Sequence, residues 1–174
     1  MRLFFALWPN PAVRTGLVQR IADVALPKGR LMRRENLHAT LVFLGTVEPA
    51  RLPGLRAAAA RVQAPAFELR IDRGGQFGRA GVVWLGATAL PAAAQRLVAE
   101  LRQHLTAAGF PFDPKPFELH VTIARDVKQR WDPPDVAPLA WPVDSFALVE
   151  SVSGPGGVVY EVRESWPLES AACR

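Results

Sequence analysis

Residues 36–45 read NLHATLVFLG and residues 118–126 read ELHVTIARD. Each holds the same five-residue pattern of apolar, His, apolar, Thr, apolar: Leu37-His38-Ala39-Thr40-Leu41 and Leu119-His120-Val121-Thr122-Ile123. Apolar runs of this kind read as strands, and along a strand the side chains at i and i+2 share a face. His38 and Thr40 are therefore expected on one face, with Leu37, Ala39, Leu41 and Phe43 on the other. In the second copy His120 and Thr122 project together, and Leu119, Val121 and Ile123 turn inward. Six threonines in 174 residues put Thr two places after a given His about 3% of the time. Two such hits among three histidines then come to about one in three hundred, so the repetition is a signal.

Outward from these runs the chain shows a coarse duplication. Strand signals fall at 2–8, 37–44, 67–72, 82–88, 119–125, 143–152 and 158–163. Between them lie three helical patterns. The first has Asn10 as N-cap and Pro11 at the opening position, and the second contains Pro53 and Gly54 near its start. The third carries Leu97, Leu101 and Leu105 on one face and ends at Gly109. A strand, a helix and a His-x-Thr strand fill residues 2–45, and the same order returns over 82–125. The expectation is an α+β fold: one domain over residues 1–174, made of two intertwined, pseudo-symmetric lobes. Each lobe is mainly antiparallel sheet with its helices outside, and a central cleft carries the two His-x-Thr strands. Proline-dense stretches at 111–116 and 132–142 read as connectors, and GGQFGRAG (74–81) as a turn between strands.

Composition narrows the class. Nearly half of the residues are hydrophobic, which suits a globular core and argues against disorder. No apolar run is long enough to span a bilayer. The opening RLFFALWP is too short for a signal-peptide core and reads as a first strand. Cys173 is the single cysteine; with no partner for a disulfide or a metal, it implies a reduced, cytoplasmic setting. The net charge of +5 attracts phosphates, although an Arg-rich codon usage explains it equally well.

Two imidazoles facing each other suit acid–base chemistry, because near neutral pH one can accept a proton while the other donates one. In-line displacement at phosphorus needs that pair, and the two threonine hydroxyls can donate to the phosphate oxygens as charge builds up. Such a site calls for no metal and no cofactor. His104, mid-helix, is read as a boundary residue. Trp84, Trp141 and Trp166 are read as core.

The paired H-x-T motifs, one per half, resemble those of the 2H phosphoesterase superfamily, and within it the RNA 2′,3′-cyclic phosphodiesterases, also called 2′-5′ RNA ligases. The resemblance covers nearly the whole chain, from RLFFALWP through ENLHATLVFLG, FGRAGVVWLG and LHVTIAR to SFALVESVSGPGGVVYEVRESWPL. One departure is Leu119, where the family commonly has proline. The resemblance implies hydrolysis of a terminal 2′,3′-cyclic phosphate on RNA to a 2′-phosphomonoester. His38 would be proton donor to the leaving 3′ oxygen, His120 the base, and Thr40 and Thr122 would steady the phosphate. Arg125 would add a cationic contact, and Phe77 would stack on a base or pack on the core. The implied partners are RNA ends or nucleotides bearing the cyclic phosphate, with no membrane and no obligate protein partner, and a monomer is expected. The same site run backwards would join RNA ends through a 2′-5′ linkage. A module that binds RNA or nucleotides without turnover is the alternative from another class.

Overall fold

Ten strands and three helices follow the duplicated order. The structure is a computed structural model that describes residues 1–170, so Cys173 lies outside the described residues. The first half contains β1 (Arg2–Leu7), α1 (Pro11–Asp23), β2 (Arg30–Leu31) and β3 (Ala39–Thr46). After α2 (Leu52–Ala59) come β4 (Phe67–Ile71), β5 (Arg73–Phe77), β6 (Val82–Gly86), α3 (Ala92–Ala107) and β7 (His120–Arg125). The chain then runs through β8 (Leu139–Val143), β9 (Ser145–Gly154) and β10 (Gly157–Pro167). Eight strands form one sheet in the order β10-β9-β1-β3-β7-β6-β5, with β2 also on β7; β4 and β8 form a separate pair. All of these strand pairings are antiparallel. The units β1–α1–β3 and β6–α3–β7 are the two copies expected from the sequence.

Local chemistry sets the helix ends. The Asn10 side chain accepts from the Val13 N–H at 2.9 Å, satisfying a donor that the first turn leaves free. At the other end of the third helix, Gly109 takes φ +72°, its N–H bonds Thr106 O, and the Phe110 N–H bonds Leu105 O. That 5→2 and 6→1 pair is a Schellman stop, which favours glycine in the left-handed position. Leu97, Leu101 and Leu105 are fully buried, joining Leu3, Phe5 and Leu7 of β1 in one core. Each such burial is worth about 1.5–3 kcal/mol.

Three sequence expectations are corrected. The stretch 74–81 is only partly a turn, because Gly74 to Phe77 belong to β5. A Cβ on Gly74 would strike the Trp131 ring, and one on Gly75 the Trp84 ring; these glycines serve close approach rather than a bend. The connector 132–142 ends in strand β8, whose Pro142 lies opposite Glu68 on a two-stranded sheet, a place where a missing N–H is tolerated. The third correction concerns Phe43. Along β1–β3, Phe5 faces Val42 but Ala6 faces Thr40, so Leu41 is an extra residue and the alternation breaks. Phe43 thereby leaves the core face and packs with Phe4, Ala6 and Tyr160 instead.

No helix among the described residues is long and apolar enough to cross a membrane.

Candidate active site

The two halves of the sheet meet where β3 pairs with β7, and they do so at one position, Ala39 opposite Val121. An antiparallel register centred there sets His38 across from Thr122 and Thr40 across from His120. All four point away from the face that Ala39 and Val121 bury, so the two motifs form one quartet on one side of the sheet. Ala39 and Val121 are fully buried beneath it.

Each imidazole is held by the carbonyl two residues before it. Nδ1 of His38 lies 2.7 Å from Asn36 O, and Nδ1 of His120 lies 2.8 Å from Glu118 O. A carbonyl only accepts, so both rings carry their proton on Nδ1 and keep the Nε2 lone pair for chemistry. The Thr40 hydroxyl is 3.0 Å from Nε2 of His38 and donates to it while the ring is neutral.

His38 sits in an aromatic cage. Phe4 is 4.9 Å from its ring centre, Tyr160 meets it edge-on at 5.0 Å, and Trp8 stacks at 5.9 Å. Desolvation in this cage lowers its pKa from 6.5 to about 4, against the opposing effect of Asn36 O; His120, Arg125 and Arg14 add repulsion. Burial also lowers the pKa of His120, opposed by Glu118.

Two cavities lined by Thr40 adjoin the quartet, besides a smaller one that meets only His120 of the four. One of about 610 Å³ reaches from His38 and Thr40 to the β9–β10 hairpin. The other, about 430 Å³, contains His120, Thr122 and Phe77. Thr40, Phe43 and Arg125 line both, so the two spaces adjoin at the site. Arg125 arrives there by the device that moves Phe43. Trp84 faces Thr122 while Val83 faces Ala124, which makes Ile123 the extra residue of a second bulge. Strict alternation would have sent Arg125 to the core side with Ile123.

All six residues expected from the sequence are thus in one place. Phe77 meets the His120 ring edge-on at 5.1 Å and also packs on Trp84 at 5.5 Å. His104 is elsewhere, on α3, 3.4 Å from Glu100. Trp84 and Trp141 are buried, and Trp166 packs on Phe146. Sequence reasoning missed Phe4, Trp8, Tyr160 and Asn36. The signal for Phe4 and Trp8 was present: the first strand is apolar on both faces, so both are covered. Asn36 is buried; its side chain donates to Val158 O at 2.8 Å and accepts from the Tyr160 N–H at 3.1 Å. It ties the base of the His38 strand to β10.

Known proteins resemble this chain over nearly its whole length. The profile of the 2′-5′ RNA ligase superfamily matches residues 8–155. The RNA 2′,3′-cyclic phosphodiesterase of Escherichia coli (strain K12) is 32% identical over 169 residues, 96% of either chain. That of Thermus thermophilus is 35% identical, covering 97% of this chain and 90% of its own. The crystal structure of E. coli LigT complexed with 3′-AMP superposes with a TM-score of 0.87 at 32% identity, over 96% of this chain and 97% of that one. The chain belongs to the 2′-5′ RNA ligase superfamily.

Proposed function

We propose that this protein hydrolyses the terminal 2′,3′-cyclic phosphate of RNA to a 2′-phosphomonoester, with His38 and His120 as its acid–base pair. The observation that supports the reading is the single β3–β7 pairing, whose register brings His38 and Thr40 opposite Thr122 and His120 on one face of the sheet.

Nε2 of His120 takes a proton from water as the water oxygen attacks phosphorus. The P–O3′ bond breaks on the opposite side, and the departing oxygen takes a proton from Nε2 of protonated His38. Thr40 and Thr122 donate to the non-bridging oxygens, where charge accumulates, and Arg125 opposes that charge from the shared wall. Phe77 holds the His120 ring and offers an apolar surface to a base. The lowered pKa of His38 is compatible with an acid role because the bound phosphate is anionic and favours the charged ring. Turnover leaves His120 protonated on both nitrogens and His38 neutral with its Nδ1 proton alone, and exchange with solvent restores the pair. No metal or cofactor enters any step. Residues 1–174 act as a single domain, a monomer in the cytoplasm, on RNA ends or nucleotides carrying the cyclic phosphate.

The test is incubation with an oligonucleotide ending in a 2′,3′-cyclic phosphate, in chelator, with the phosphomonoester product resolved. The 2′-phosphate is expected, with kcat about 10²- to 10⁴-fold lower in either His38→Ala or His120→Ala. Full activity in a folded His120→Ala protein rejects the reading. Binding without product would favour the non-catalytic module instead. Ligation is read in the same assay by adding a strand with a 5′-hydroxyl. The cavity beside His120 is large enough to admit one, but hydrolysis is expected to dominate because nothing there keeps water out.

A further inference from the structure

The two cavities differ in charge. On the His38 side the lining contains Arg2, Arg30, Arg33 and Arg125, and no carboxylate among the described residues. On the His120 side Arg102, Lys115 and Arg125 are offset by Asp113 and Glu118. A cyclic phosphate alone needs one cation or two; four converging on a cavity of about 610 Å³ exceed that need.

The walls of this space match single-stranded nucleic acid. One wall is β2 with the segment after it. The other is the β9–β10 hairpin, which presents Ser151, Ser153, Val158 and Tyr160. Leu31 on the first wall is 60% exposed, and Val158 on the second is 40% exposed. Exposed apolar side chains on both walls of a space that guanidinium groups also line offer contact for bases together with contact for phosphates. The arginines are only partly engaged by the protein. Arg30 pairs with Asp126 at 2.9 Å, but both side chains are mostly exposed, so the pair is weak and easily exchanged. Arg33 donates to Gly156 O at the hairpin tip and joins the two walls there. Arg2 lies over the Phe43 ring.

Reaction geometry selects the same side. In-line attack requires water and the leaving 3′ oxygen on opposite sides of phosphorus. The ribose holds phosphorus through both O2′ and O3′, and only O3′ departs; because O3′ lies opposite the incoming water, the nucleoside and everything 5′ of it lie on the side away from the water. A strand lying in the arginine-lined space therefore turns its 3′ oxygen toward His38 and leaves the water's approach to His120, an order of roles that the symmetric quartet alone does not fix.

We infer that the groove between β2 and the β9–β10 hairpin binds the RNA strand 5′ of the cyclic end, so that the protein engages at least two phosphates upstream of the one it opens. The inference rests on the cyclic phosphodiesterase reading and extends it to a substrate class: an oligonucleotide, favoured over a cyclic mononucleotide.

The experiment compares adenosine 2′,3′-cyclic phosphate with oligoadenylates of two, three and five residues bearing the same end, over a series of salt concentrations. Each of the first two added phosphates is expected to raise kcat/KM about tenfold at low salt, with a plateau beyond. The log–log salt slope should steepen by about 0.7 for each engaged phosphate. Arg2→Gln, and separately the double variant Arg30→Gln/Arg33→Gln, should bring the pentamer-to-monomer ratio of kcat/KM down toward one. Including Arg2, which does not hold the hairpin tip, separates loss of charge from loss of the wall. Equal kcat/KM and equal salt slopes at every length overturn the groove while leaving the cyclic phosphodiesterase reading intact. Absence of product from every substrate defeats that reading, and the groove is then judged by fluorescence anisotropy with a 3′-hydroxyl pentaadenylate. Equal affinity of wild type and double variant overturns it there as well.

Discussion

Phe43 and Arg125 occupy the same position in the two halves of the sheet: each lies three residues past a site threonine, beyond a bulge that follows it immediately. The bulges at Leu41 and Ile123 reverse the alternation and turn both side chains into the space beside the quartet, where both line its two cavities. One half thus supplies a ring and the other a guanidinium. If Arg125 is a phosphate ligand, Arg125→Met should lower kcat/KM about 10- to 100-fold with the fold retained. Arg125→Lys should recover only part, because an ammonium cannot make the bidentate fork. Steady-state kinetics on the cyclic substrate, with circular dichroism as the folding control, checks this.

The pH dependence of catalysis follows from the two lowered imidazole pKa values. In the proposed mechanism the active free enzyme carries, beyond the two Nδ1 protons, one further proton on the pair. Raising the pH above both values removes it, and lowering the pH below both adds a second, so activity falls on either side. His38 lies at about 4 and His120 below its ordinary 6.5. The kcat/KM profile should therefore be a bell with its maximum on the acid side of pH 6.5. The kcat profile should peak at higher pH, because bound phosphate stabilises the protonated rings.

Stability carries the same signature. His38 binds its proton less tightly folded than unfolded, so the unfolded state holds more protons between pH 6.5 and about 4. The stabilisation is complete above pH 6.5 and is lost as pH falls through that window, amounting to roughly 3 kcal/mol at most. A His38→Phe variant should show a shallower loss of stability over this interval. Denaturant midpoints measured at several pH values decide it.

Asn36 is expected to matter for architecture. Asn36→Ala removes two hydrogen bonds to β10 and leaves Val158 O and the Tyr160 N–H without those partners. A loss of about 2–4 kcal/mol should appear in the denaturant midpoint. The Nδ1 contact of His38 is made to the Asn36 backbone, so kcat should fall far less than on removing the imidazole.

What was legible in the sequence was the local pattern. The two His-x-Thr strands, the Asn10 and Gly109 helix ends and the duplicated strand–helix–strand order each leave a mark within a few residues. A bulge leaves none: one extra residue in a ladder is defined by the partner strand, so alternation alone puts Phe43 on the core face, and only the family resemblance points to Arg125. Strand β5 was hidden by Gly74 and Gly75, whose bareness makes room for Trp131 and Trp84 rather than marking a turn. The cage around His38 is drawn from residues 4, 8 and 160, which only the folded sheet order brings together.

Since β3 touches β7 through a single rung, the molecule is built like tweezers whose pivot is Ala39 against Val121. Each jaw carries one imidazole and one hydroxyl, and the proposed acid–base pair exists only where the two jaws meet. Ala39 and Val121 are both fully buried at that rung, so bulk added at Ala39 would press on the spacing of the two motifs from beneath.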